Sequence, residues 1–153
     1  MRTLAVCALL ALLVVSGLGA SAREERGHVP VHVGDVRTDS KGRTFQAVGV
    51  LIHTVPRSEG ARIELFAAVW VPVKQGKGTW CYDFESERNG DSLSIAAFCK
   101  PAKRGGSLMA SFEVEVIEWE GNTGEGFDSC RDRHDIKRDS EFSCTVDVPA
   151  DFK

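Results

Sequence analysis

Several signatures of catalysis are missing from this chain. No serine lies in a G-x-S-x-G elbow, so the strained turn that exposes a hydrolase nucleophile is not encoded. No H-E-x-x-H motif is present to hold a catalytic zinc. No two cysteines form the close C-x-x-C pair of a structural zinc site. Neither asparagine begins an N-glycosylation sequon, since Asn89 precedes Gly-Asp and Asn122 precedes Thr-Gly. No Lys/Arg run exceeds two residues, so the concentrated basic face that nucleic acid or an anionic membrane requires is lacking. These absences leave no catalytic, cofactor or metal residue to name. The chain is read as a non-enzyme.

Long apolar runs are scarce as well, and the one that exists is at the start. Met1-Arg2 gives a short positive region, Leu4 to Val15 an apolar run, and Ala20-Ser21-Ala22 the small residues a signal peptidase reads. About 20 apolar residues are needed to span a bilayer as a helix, so this segment is too short for an anchor. Residues 1–22 are therefore expected to be a cleaved signal peptide, and the product to be secreted and extracellular, without a transmembrane anchor. Losing Arg2 takes the basic residues from 19 to 18 against 22 acidic, a net charge of −4 in place of −3. Nucleic acid is not an expected partner.

Removal of the signal peptide also removes Cys7, leaving Cys81, Cys99, Cys130 and Cys144. Four cysteines in a small secreted chain read as two disulfides. Neighbour pairing, 81–99 with 130–144, is the simple default. A tight hairpin about Asn89-Gly90 complicates it, because it sets residue 80 opposite 99, 82 opposite 97 and 84 opposite 95. Trp80, Tyr82, Phe84, Ile95, Ala97 and Cys99 then share one face and Cys81 points the other way. That register favours 99–144 with 81–130, unless a one-residue bulge restores the neighbour pairing. Both connectivities stay open.

Period-2 alternation dominates the rest of the chain. Residues 23–42 are polar and form an arm with at most one short strand, Val29 to Val33. Residues 43–54 carry apolar side chains on both faces, as in a centrally paired strand. Residues 61–73 fit a strand better than a helix. Leu108, Ala110, Phe112, Val114 and Val116 give the clearest strand, and Ile117 and Trp119 continue its apolar face only if a bulge lies near Val116-Ile117. A last strand is expected over 141–148. The fold class is thus all-β, an antiparallel sandwich of six to seven strands over 43–153, with room for one short helix near 128–139.

That last segment is the most unusual in composition. Asp128, Asp132, Asp135 and Asp139 recur at intervals of 4, 3 and 4, which aligns them on one face of a helix. Interleaved basic residues make a solvated helix or loop with internal ion pairs the first reading, with calcium and a charged contact surface behind it. His28 and His32 flank Pro30, which prevents the helix that would align them as ligands. His53 and His134 stand apart from them. Glu113, Glu115, Glu118 and Glu120 read as the wet face of a strand. The Gly78-Thr79-Trp80 triplet resembles the lipocalin G-x-W motif, although too little chain follows Trp80 for that barrel.

The expected function is a secreted binding or interaction module whose partner is an extracellular protein, with binding loops at 100–107 and 121–140. The alternatives are a carrier holding a small apolar ligand between two sheets, and a signalling precursor processed at basic sites such as Arg23-x-x-Arg26. Trp70, Trp80 and Trp119 are expected in the core, with room for one of them as an exposed contact.

Overall fold

A computed structural model describes residues 31–101 and 108–153. The expected signal peptide, the first part of the arm with His28, and residues 102–107 lie outside the described residues. The chain forms eight strands, most of them over alternating apolar residues: β1 (Val36–Thr38), β2 (Thr44–Pro56), β3 (Ala61–Pro72), β4 (Trp80–Asn89), β5 (Ser92–Lys100), β6 (Leu108–Glu120), β7 (Thr123–Ile136) and β8 (Ser140–Asp147). They form a five-stranded sheet, β1-β2-β3-β6-β7, and a three-stranded sheet, β4-β5-β8, with every pairing antiparallel. The chain changes sheet after β3, β5 and β7. The sandwich has eight strands rather than six or seven, and the described residues contain no helix.

The core lies between the sheets. Inward residues of β3 and β6, such as Ile63, Val69, Phe112 and Val116, meet Ile95, Ala97, Phe142 and Val146 of β5 and β8. Phe112 and Phe142 are both fully buried and touch edge to face across the two layers, with centroids 6.2 Å apart. The edge strand of the arm falls at 36–38, paired with Thr44–Gln46; of the strand expected over 29–33, residues 31–33 are not in a strand and 29–30 lie outside the described residues.

Two expected registers are corrected. The β4–β5 turn is Gly90-Asp91, one residue later than expected, with Gly90 at a φ of +61° that suits glycine. Phe84 therefore faces Ala97, and the parity of the inner face is kept. Tyr82 is then the extra residue of a bulge, so Cys81 comes opposite Cys99 and their disulfide forms. The same bulge turns Trp80 and Tyr82 outward, to 53% and 42% exposure, instead of onto the apolar inner face. Opposite this disulfide, Gly49 of β2 leaves the room it needs. A Cβ there would lie 2.6 Å from Cys81 Cβ and 2.7 Å from its sulfur.

The second correction concerns β6. The register does shift at Val116/Ile117, but the extra residue is Phe127 on β7, while β6 runs unbroken against β3. Ile117 and Trp119 therefore keep their parity and lie on the outer face of the larger sheet. Trp119 is buried there beneath the Arg62 guanidinium, 4.9 Å from its ring.

The segment 128–139 is not a helix, and most of it is strand. Residues 128–136 belong to β7, and alternation places Asp128, Cys130, Asp132 and His134 on its inward side. Each meets β8, the outermost strand of the other sheet. Asp128 Oδ2 accepts the Asp147 amide at 2.7 Å and Asp132 Oδ2 the Ser143 amide at 3.0 Å. Cys130 bonds Cys144, and the His134 ring stacks on Phe142 at 4.0 Å. Asp139 lies instead in the turn to β8, 3.9 Å from the Lys100 ammonium. The periodicity of four seen in sequence is two steps of a strand, and the carboxylates satisfy backbone donors that β8 cannot pair within its own sheet.

The last residues close one end of the sandwich. Val148 and Phe152 are buried in the core. Arg57 donates to both Asp151 oxygens, at 2.7 and 2.8 Å, and to Glu118 at 2.5 Å. Arg88 bonds the Phe152 carbonyl, and His53 Nε2 donates to the Lys153 oxygen at 3.0 Å. The hydrogen bonds from Arg57 hold the Asp151 carboxyl below its ordinary value of 3.8. A depressed folded-state pKa stabilises above the unfolded value and is lost as pH falls. Urea midpoints of the wild type should exceed those of Asp151→Asn by a steady margin above about pH 5. The margin should close below the ordinary carboxyl value, and one that is unchanged down to acid would refute the ion pair's role.

Candidate binding site

In a two-layer sandwich the outer face of each sheet meets solvent and is ordinarily polar. The outer face of the five-stranded sheet departs from this. β3 presents Phe66, Ala68 and Trp70 outward, and β2 adds Phe45, Ala47 and Val50, making a second apolar cluster apart from the core. This explains why these strands read as apolar on both sides. The chain before β2 covers part of the cluster: the Gly34 amide donates to the Ala47 carbonyl at 2.8 Å, and the Ala47 amide to Asp35 at 2.9 Å.

From β1, Arg37 lays its guanidinium over the Trp70 ring, 4.1 Å from the centroid. The same group reaches Glu113 of β6 at 2.6 Å, while Arg131 of β7 bonds the other Glu113 oxygen at 2.7 Å. One carboxylate is thus held between two arginines from opposite edges of the sheet. Together these groups and the aromatic floor border an open concavity of about 850 Å³, lined also by Val31, Asp35 and Ser129. A second hollow of about 420 Å³ adjoins the turn before β2, between Phe45, Lys74, Met109 and Arg133. Both volumes fall within the range of about 300–1,000 Å³ common for small-ligand sites. Between the two hollows, Trp70 of β3 faces Ser111 of β6, and neither Trp70 Nε1 nor Ser111 Oγ has a hydrogen-bond partner among the described residues.

The expected site residues are distributed differently. The 121–140 loop is mainly strand, yet it supplies Ser129 and Arg131 to the larger concavity. Glu113 is a clamped group of the site rather than only a wet face, Glu118 pairs with Arg57, and Glu120 is exposed. Asp128, Asp132, Asp135 and Asp139 do not converge. Among the described residues no three or more His, Cys, Asp or Glu side chains are grouped to hold a metal ion. His32 lies 3.9 Å from Asp35, away from His53 and His134. A smaller aromatic strip lies on the other sheet, where Trp80 and Tyr82 meet at 5.7 Å and Lys100 sits 4.9 Å from the Tyr82 ring.

The arginine–glutamate–arginine clamp escaped sequence reading because its members come from three strands. The available signal was the doubly apolar β2 and β3, which announced an outer face with something to cover. No family model, curated protein or solved structure matches the chain.

Proposed function

We propose that this chain is a secreted binding module without catalytic activity, which meets an extracellular protein through the outer face of its five-stranded sheet. The observation that carries the reading is the 850 Å³ concavity, with an aromatic floor and fixed charges on a face that solvation alone would leave flat and polar. Buried aromatic anchors beside arginines are the composition of binding hot spots. The two disulfides suit an oxidising compartment, and the sequence of residues 1–22 supplies the route to it. Side chains fill the space between the sheets, so the volume open to a partner lies outside the sandwich.

The test is capture from extracellular fluid on the immobilised secreted protein. Arg131 is exposed, so Arg131→Glu spares the fold while placing a second carboxylate against Glu113. The wild type should retain a specific partner, and Arg131→Glu should weaken it by about tenfold. Trp80→Ala, on the other sheet, should leave capture unchanged. Equal capture by Arg131→Glu, or no specific capture at all, would overturn the proposal.

A further inference from the structure

We infer that the 420 Å³ hollow beside the β1–β2 turn is a site for a small organic anion, one charged head on an apolar body. The inference rests on reading this sheet face as the binding surface, and it adds the chemical class of one ligand. The first support is the sign of the lining. The chain carries a net charge of −3, yet the hollow is lined by Arg43, Lys74 and Arg133 and by no carboxylate. These three come from separate elements: the turn before β2, the chain after β3, and β7.

The second support is how those cations are held. Asp39 Oδ2 accepts Arg43 Nε at 2.7 Å, and Asp39 Oδ1 accepts the Lys41 and Arg43 amides at 2.9 Å each. The turn thus fixes the Arg43 stem while the η nitrogens of its guanidinium have no partner among the described residues. Lys74 and Arg133 form no ion pair with any described residue. A guanidinium with open donors matches the paired oxygens of a carboxylate, sulfonate or phosphate, and an ammonium beside it adds a point charge.

The third support is the apolar remainder. Phe45, Pro72 and Val73 form a wall, and Met109 stands 48% exposed at the opening. Methionine there is a polarizable surface that adapts to varied apolar shapes. The Ser111 hydroxyl, beneath the hollow, is a polar group the fold itself leaves without a partner among the described residues. Three cations amid an acidic chain suit a single charged head rather than a long polyanion, which would also meet Glu113 and Glu115 on the same face.

Calorimetric titration of the full secreted protein with naphthalenesulfonate, naphthylmethanol and inorganic sulfate tests the site. Naphthalenesulfonate should bind at least about tenfold more tightly than either the neutral alcohol or the bare anion. Lys74→Gln with Arg133→Gln should weaken the sulfonate by more than about tenfold and leave the alcohol unchanged. Lys77→Gln, outside the hollow, should change neither. Equal affinity for sulfonate and alcohol, no sulfonate binding, or full binding by the double variant would each overturn the inference. The titration needs no protein partner, so its result stands apart from the capture experiment: either can fail while the other succeeds.

Discussion

Replacing Phe112 with alanine should lower the free energy of unfolding by about 3–5 kcal/mol. Phe112 sits at the middle of β6, has no exposed surface, and contacts Phe142 across the two layers. Truncation removes the transfer energy of the ring and leaves a void that the paired strands on either side cannot collapse to fill. Against a typical total of about 5–15 kcal/mol, that loss leaves a marginal fold. Chemical denaturation followed by circular dichroism measures it. A change below about 1 kcal/mol would mean that the two sheets do not pack through this residue.

The second large effect comes from the disulfides. Serine at both Cys130 and Cys144 should cost about 3 kcal/mol, because the closed loop spans 14 residues and its closure restricts the unfolded chain. The Cys81–Cys99 pair spans 18 residues and should cost a similar amount in that model. The two differ in what remains. Cys81–Cys99 lies within a hairpin whose strands still pair without it, whereas Cys130–Cys144 joins strands of different sheets. Losing the latter leaves the two aspartate–amide bonds, the His134–Phe142 contact and apolar packing such as that of Ile136 along that seam. Non-reducing peptide mapping tests the connectivity directly, since a peptide linking Cys99 to Cys144 would contradict the fold.

Much of the architecture is legible in the sequence because the pattern of inner faces is local. β2, β3, β6 and β8 follow from alternation, and the hairpin from Asn89-Gly90 with an error of one residue in the turn. The bulge at Tyr82 is the condition under which neighbouring cysteines meet, and local pattern does not decide it. β7 escaped because its inward side carries Asp, Cys, Asp and His, residues that a strand tolerates only when particular partners await them. Those partners are the amides of β8 and the Cys144 sulfur, set by packing rather than by spacing. The proposed binding face was hidden for the same reason: Arg37, Trp70, Glu113 and Arg131 meet only after β1, β3, β6 and β7 are laid side by side.

The aspartate bonds to β8 also bear on how a partner can be met. Recognition by β-augmentation requires a long, open strand edge, and four strands at the sheet edges among the described residues each restrict it in part. β8 has two of its outward amides taken by Asp128 and Asp132, and β1 is only three residues long. β4 is bent by its bulge and carries Asp83, Glu85 and Glu87, and β7 is interrupted by Phe127. These are the devices by which sheet proteins refuse a neighbouring chain. On the proposed binding face a partner would read side chains, and specificity would rest with a few aromatic and charged groups rather than with a ladder of main-chain bonds.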